Sequence, residues 1–306
     1  MTTQQKIAEF QKVKFGFSRN KLKYSVNEVF FDKWTSQMAY ILGFTFADGN
    51  IHKTTLAWDV QKKDKNILLK IRNALETNYP ISLHRKKSVR LRISNQLLIV
   101  GAIKRGLFPK KNIRNELPNV PQECLRHFVR GNLDGDGWIT IRNSRNEMDV
   151  GFCSGNKEFL NDLNHIISST LRIHPANLRE RIKVTPKKVK SKTFMFEFYS
   201  ANAYKIATWL FDNLDNKDLY LDRKYKKYLK AKKLYQFLNS GTKVVRVIQK
   251  RRNKPLREIL EDLYIDKKYD GVKIGKVLNV HSSSIYRWLA KTGIKYPERR
   301  IYGQES

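Results

Sequence analysis

Cysteine is nearly missing from this chain: only Cys124 and Cys153 occur in 306 residues. They share no CxxC spacing, which argues against a disulfide framework and a cysteine-zinc cluster and points to a reducing compartment. Histidine is also sparse, with six scattered residues and no HExxH or paired-His pattern. Long apolar runs are lacking too. The longest, near Leu97–Ile103, is far too short for a transmembrane span or a signal peptide. Acidic residues are the last shortage, with 28 Asp plus Glu against 61 Lys plus Arg and a formal net charge of +33. Such an excess repels itself unless the protein works against a polyanion. Nucleic acid is therefore the expected partner. A membrane surface is the rival, disfavoured by the missing apolar segments.

The charge is spread along the chain. Residues 241–306 hold 16 basic and 7 acidic side chains, and the remainder holds 45 and 21. Hydrophobic residues make up 41%, enough for a true core. The length suits two or three compact units.

The hydrophobic period repeats. An apolar run from Met38 to Ala47, with Thr35 or Ser36 as N-cap, predicts a helix that stops at Asp48-Gly49. Leu56, Trp58 and Val60 alternate with Ala57, Asp59 and Gln61, Asp64 is placed to cap a helix running to Leu75, and Val89, Leu91 and Ile93 alternate with Arg90 and Arg92. A helix is expected from Leu97 to Gly106, and residues 117–121 read as a linker. The pattern then restarts. A helix from Leu125 ends at Asp136-Gly137, strands follow at 138–142 and 148–153, and a helix spans about 158–171. Alternating residues at 179–184 and 194–198 and a helix from about 203 to 214 complete it. The order is helix, two strands, helix, two strands, helix, twice over, which defines an internal repeat. The expected division is a basic N-terminal extension (1–33), a first repeat (34–118), a second repeat (119–238) and a C-terminal unit (239–306).

Two helix ends carry the chemistry. They read Ile41-Leu-Gly-Phe-Thr-Phe-Ala-Asp48-Gly49 and Val129-Arg-Gly-Asn-Leu-Asp-Gly-Asp136-Gly137, with their acids 88 residues apart. Gly43 and Ala47 lie on one helix face, as do Gly131 and Gly135 on the other. Glycine inside a helix costs roughly 1 kcal/mol against alanine, so it needs a packing reason. Small residues in a row let two helix backbones approach closely. Each helix then ends on a carboxylate where its macrodipole is already negative. If the helices pack together, Asp48 and Asp136 converge, which calls for a cation. Hard oxygen ligands suit Mg²⁺, with Mn²⁺ or Ca²⁺ as substitutes in binding. A basic protein with such a site suggests metal-assisted phosphodiester hydrolysis. An Asp-Gly pair is also an ordinary turn. Residues 132–143 fit part of an EF-hand loop, but Asn143 stands at the last ligand position and the first copy has Phe44 and Phe46 where ligands belong.

The two motifs resemble the LAGLIDADG signature of homing endonucleases. The likeness extends to Phe30-Phe31-Asp-Lys-Trp34, to Phe128-Val-Arg-Gly131 and to Leu219-Tyr-Leu-Asp-Arg-Lys-Tyr225, covering about residues 25–235. It implies an α+β fold of two pseudo-symmetric αββαββα repeats, with the motif helices at the interface and two antiparallel sheets saddling the DNA. It further implies that Asp48 and Asp136, with the backbone of Ala47 and Gly135, hold metal. Lys62 and Asn156 would flank the cleavage water. Lys110 and Lys224 would be supporting lysines, with Lys111 and Arg223 as rivals if the register slips by one. Outward strand residues Arg90, Arg92, Arg142, Arg181 and Lys183 are candidates for base readout, which Arg can perform on guanine. Each alone also fits a solvated strand face. Phe46 departs from the family, many members having Asp there.

The C-terminal unit reads as helix 256–263, then Val272–Leu278, a turn, and Ser282–Leu289. It resembles a helix-turn-helix of the resolvase or repressor kind, with Ile274, Val277, Leu278, Val280, Ile285, Trp288 and Leu289 as core. Ser282, Ser283 and Ser284 would open the recognition helix, and Tyr286 and Arg287 would reach bases or phosphates. Residues 249–254 read as a basic tether.

The expected function is site-specific double-strand DNA cleavage by a monomer, with double-stranded DNA as partner. The alternatives are a regulator that binds without cutting and an RNA maturase, with intron RNA as its partner. A start at Met1 and the lack of a terminal His-Asn pair argue against an intein, and neither an HNH nor a GIY-YIG motif is present. Usage rich in Lys, Asn and Ile suggests an AT-rich bacterial or phage genome and a cytoplasmic setting, an organelle being the other option.

Overall fold

The computed structural model describes residues 23–52, 54–108, 116–142, 147–184, 190–238 and 243–294, with the backbone alone at 147, 183, 184, 190, 191, 233–238 and 243. Lys110 and Lys111, the side chain of Lys183, and residues 1–22 of the expected N-terminal extension lie outside what is described. The chain divides into two compact units, Met1–Ala231 and Lys232–Ser306.

The first unit is α+β and runs through one element order twice. The first copy is α1 (Ser36–Asp48), β1 (Gly49–His52), β2 (Thr55–Gln61), a 3-10 turn (Lys62–Asp64), α2 (Lys65–Ala74), β3 (Ile81–Arg85), β4 (Ser88–Ser94) and α3 (Gln96–Lys104). The second is α4 (Gln122–Asp136), β5 (Trp138–Arg142), β6 (Glu147–Ser154), α5 (Lys157–Leu171), β7 (Arg179–Val184), β8 (Lys190–Tyr199) and α6 (Ser200–Phe211), after which α7 (Asp222–Leu238) begins. Each copy forms a four-stranded antiparallel sheet, ordered β1-β2-β4-β3 and β5-β6-β8-β7. The sequence period missed β1 and β3, which are short, and α7, whose many lysines dilute the apolar stripe.

Local chemistry sets the helix starts. Thr35 Oγ1 accepts the Met38 amide at 3.1 Å, so Thr35 and not Ser36 is the cap. Asn95 and Asn156 cap α3 and α5 in the same way, through Leu98 N and Phe159 N, both at 2.9 Å. Asp64, expected to cap α2, makes no cap bond.

α1 is buried from Met38 to Ala47, with no solvent-facing stripe until Asp48. Such a helix belongs inside a core. Its partner is α4. A Cβ placed on Gly43 would lie 2.0 Å from Phe128 O, and one on Gly131 would lie 2.1 Å from Tyr40 O. These contacts are reciprocal: the same offset in each copy meets the same offset in the other. The sheets lay Leu56, Trp58, Val89, Leu91 and Ile93, and Met148, Val150, Phe152, Phe196 and Phe198, into the core. Trp58 Nε1 donates to Thr45 Oγ1 at 2.9 Å, tying β2 to α1.

The second unit is helical. It comprises α8 (Lys243–Arg252), α9 (Leu256–Glu261) continued by a π-type turn (Asp262–Asp266), α10 (Gly271–Leu278) and α11 (Ser282–Lys291). Val245, Ile248, Leu260, Ile274, Ile285 and Leu289 make its core. Residues 249–252, read as part of a tether, are the last turn of α8, with Gln249 buried. Val277 is 41% exposed and not core, because it lies off the face of α10 that buries Gly271, Ile274, Gly275 and Leu278. Asn279 takes a left-handed turn (φ 54°) between α10 and α11. No helix among the described residues is long and apolar enough to cross a membrane.

The glycine contacts generate a prediction. Gly43→Ala or Gly131→Ala should destabilise the first unit by about 3 kcal/mol in denaturant unfolding, since backbone rather than a flexible side chain must move. Gly155→Ala, whose Cβ would meet nothing within 4 Å, should leave stability unchanged. Equal effects at all three positions would contradict the packing described.

Candidate functional site

The helix pair brings its two C-terminal ends together. A Cβ on Gly135 would lie 2.4 Å from Ala47 Cβ and 3.3 Å from Asp48 N, so α1 and α4 touch up to their last turns. Asp48 is exposed and Asp136 half-buried. Glycine follows both acids, but for closeness rather than for a left-handed turn. Gly49 is extended (φ −74°), and a Cβ there would sit 2.2 Å from Thr45 Cγ2. One on Gly137 would meet Gly151 O at 2.8 Å.

α4 stays helical through Asp136, which removes the EF-hand alternative. Asn132 and Asp134, its would-be ligands, are 2% exposed inside the helix pair. Asp134 Oδ2 accepts from Tyr40 Oη at 2.8 Å and from Leu221 N at 2.7 Å. Burial pushes the Asp134 carboxyl up, against the pull of Lys224 and its hydrogen bonds, and pushes the Tyr40 hydroxyl well up. At the matching position of the first motif, Phe46 instead stacks on Phe159, with ring centroids 5.4 Å apart.

Lys224 enters from the first turn of α7. Its side chain is 1% exposed, and Nζ donates to Leu133 O, to Asp134 O at 2.9 Å and to Gly137 O at 2.7 Å. An ammonium has three donors, and these carbonyls take all three. Lys224 therefore caps the end of α4 and has no proton left to give a phosphate. Burial pulls its pKa down to about 8, with Arg223 adding to the fall while Asp134, Asp48 and Asp136 oppose it. A cation at the negative pole of α4 offsets the charge that two carboxylates place there.

The other predicted site residues lie on separate elements. Lys62 is exposed in the turn after β2. The side-chain oxygen of Asn156 is engaged as the cap of α5. On the outward sheet faces, Arg90 is held bidentately by Asp59 with both bonds at 2.7 Å, and Arg142 donates to Asp149 at 2.6 Å. Arg92 and Arg181 are exposed, and no carboxylate holds either among the described residues. In the second unit Ser282, Ser283 and Ser284 form the first turn of α11, capped by His281. Arg287 is exposed, while Tyr286 packs against Gly271, where a Cβ would fall 2.4 Å from its ring.

The sequence reading missed a buried polar cluster beside the site. Arg130 is fully buried and donates to Leu219 O at 2.8 Å, Leu210 O at 2.9 Å and Asp218 at 2.5 Å. His127 Nδ1 lies 2.9 Å from the same Asp218 oxygen. The one available signal was the polar set Arg126, His127, Arg130 and Asp134, which shares one face of a helix otherwise rich in apolar residues. Among the described residues no group of three or more His, Cys, Asp or Glu could hold a metal ion. A cation here would draw its remaining ligands from backbone, water or phosphate.

No protein-family model and no curated protein matches the chain. Among solved structures it is similar to the I-LtrWI LAGLIDADG homing endonuclease bound to target DNA, at 12% identity over 77% of this chain and 98% of that one, with TM-score 0.42. It is also similar to the homing endonuclease I-WcaI bound to its DNA recognition sequence, at 14% identity over 69% and 95%, with TM-score 0.40. A third is full-length DUF199/WhiA from Thermatoga maritima, at 13% identity over 87% and 94%, with TM-score 0.37. At these scores function has to be argued from the residues.

The buried cluster makes a pH prediction. Burial resists ionisation of Asp218, but the His127 bond and the Arg130 charge outweigh it and hold the carboxyl well below the usual range. A depressed folded-state pKa contributes stability above the unfolded value of about 4, and that stability is lost as pH falls below it. Asp218→Asn should cost about 3 kcal/mol at pH 7 by leaving Arg130 without its carboxylate. It should also flatten the acid limb of stability against pH. An unchanged acid limb in chemical denaturation would contradict the pairing.

Proposed function

We propose that this chain is a site-specific endonuclease of the LAGLIDADG homing type that hydrolyses both strands of double-stranded DNA. The observation that carries this reading is the juxtaposition of the two motif helices up to their last turns. Each ends on a solvent-accessible carboxylate, Asp48 or Asp136, in a chain of net charge +33.

The donor set fits a hard divalent cation. Asp48 and Asp136, with the carbonyls of Ala47 and Gly135, would hold Mg²⁺, which prefers one or two carboxylates and keeps water and phosphate oxygens as its other ligands. When bound, such an ion supplies an activated water and stabilises charge on the leaving oxygen. The protein's own part is electrostatic and positional. Lys224 fixes the end of α4 and offsets the charge of the acids. The outward sheet faces supply Arg92 and Arg181, whose guanidinium groups suit guanine edges. Arg90 and Arg142, already held by Asp59 and Asp149, would contribute orientation and phosphate contacts more than base readout. In the second unit, α8 ends in Lys250, Arg251 and Arg252, and α11 exposes Arg287, a basic surface suited to phosphates.

A helix-turn-helix unit in one chain with a two-sheet unit also suits a regulator that binds a site and leaves it intact, and the sheet faces would also suit a maturase. Both Asp residues would be idle in such proteins. The test is cleavage of a DNA library by wild type, Asp48→Asn and Asp136→Asn, with and without Mg²⁺. Metal-dependent double-strand cuts at one long site, lost or reduced to nicks in the variants, are expected. Removing either acid should slow cutting by at least about 100-fold. Site-selective binding without cutting under any metal would leave the regulator, and preference for intron RNA would leave the maturase.

A further inference from the structure

The segment leading into α7 is gripped from two sides. Its residues alternate between partners in the first and second copies of the repeat. Leu219 O accepts from Arg130 of α4 at 2.8 Å, and Leu221 N donates to Asp134 of α4 at 2.7 Å. Between them, Tyr220 O accepts from Lys70 of α2 at 3.2 Å, and the Lys70 ammonium also lies 3.8 Å from the centroid of the Tyr220 ring. Asp222 takes Lys70 Nζ at 2.8 Å and Asn66 Nδ2 at 2.7 Å. Arg223 donates to Asp64 at 3.1 Å. The next residue is Lys224, whose ammonium is seated on the carbonyls of α4.

We infer that Lys70, Asn66 and Asp222 form a clasp between the repeats that positions Lys224 at the end of α4, and through it the carboxylate of Asp136. This rests on the reading of Asp136 as a catalytic ligand. It adds Asn66 and Lys70 of α2, which no motif singles out, and gives Asp222 of α7 a role. None of them touches substrate; they are positioning residues.

The physical case is one of constraint. Burying the Lys224 ammonium is unfavourable, and three carbonyls repay the cost only if the side chain is delivered to them. Single exposed ion pairs are weak. Here Lys70 is 25% and Asp222 44% exposed, but one lysine serves a carboxylate, a carbonyl and an aromatic ring, and Asn66 holds the other carboxylate oxygen. Burial works against ionisation of Asp222, yet these bonds outweigh it and hold the carboxyl below its usual range. Lys70 also borders a cleft of about 450 Å³ lined by Gln37, Asn73 and Tyr225. Shortening it widens an existing cleft and opens no void in the core, so the variants should fold.

Two measurements on the full chain test the clasp. The first is independent of cleavage. An amine-acylating reagent with mass-spectrometric readout should leave Lys224 protected in the wild type. Lys224 should be labelled several times faster in Lys70→Ala and Asp222→Ala, with exposed lysines such as Lys62 unchanged. Unaltered protection would overturn the clasp, whether or not the protein cuts DNA. The second is a double-mutant cycle on single-turnover cleavage. Asp222→Ala should slow cutting about tenfold with DNA affinity unchanged, the size typical of residues that orient a metal ligand. In a Lys224→Met background the same change should add nothing. An equal slowing in both backgrounds would show that Asp222 acts without Lys224 and would overturn the inference. If the wild type cuts no DNA, the labelling arm alone decides the clasp, and it is the endonuclease reading that fails.

Discussion

Two glycines facing each other's backbones set the architecture of the first unit. Gly43 and Gly131 let α1 and α4 approach until a Cβ on either would fall about 2 Å from the partner's carbonyl. Everything else in the unit follows from that distance. α1 from Met38 to Ala47 and α4 from Phe128 to Asp134 are buried on all sides, so the sheets must cover them, and each sheet turns a polar face outward. Because the two copies are packed by the same offsets, the ends of the helices must arrive side by side. Two carboxylates then meet where two helix dipoles are already negative. The packing that stabilises the fold creates an electrostatic problem at its edge.

The chain meets that problem unequally in its two halves. At the end of α4, Lys224 sits on three carbonyls, and Asp134 anchors the chain that delivers it. At the matching place in α1, Phe46 fills the space with ring stacking against Phe159. The first motif thus has packing where the second has an acid, which the second copy uses in the docking of α7. The two copies differ in their supports and share their helix ends.

Much of this was legible in the sequence. The apolar period located most helices and strands, and small residues spaced four apart foretold the helix contact. The alternation of Arg90 and Arg92 with Val89, Leu91 and Ile93 identified an outward basic face. What period and motif could not show was partnership. Nothing local in Arg90 says that Asp59 lies across the sheet, and nothing in Lys224 says that its ammonium is buried. Nor does anything in the position of Asn156 say that its oxygen serves as a helix cap. The cluster of Arg130, His127 and Asp218 joins residues nearly ninety positions apart. Long-range polar contacts carry no periodic signal, so they emerge only from the fold. The helix α7 was hidden for a simpler reason: its lysines mask the apolar stripe that packs it.

In the proposed site a divalent cation sits between the ends of α1 and α4. This can be tested without DNA by loading Fe²⁺ in place of Mg²⁺ and adding ascorbate and peroxide, so that radicals cut the polypeptide beside the bound ion. Chain breaks are expected close to both Asp48 and Asp136, suppressed by excess Mg²⁺ and lost when both acids are changed to Asn. Breaks confined to other regions, or breaks at these two positions that persist in the double variant, would contradict it.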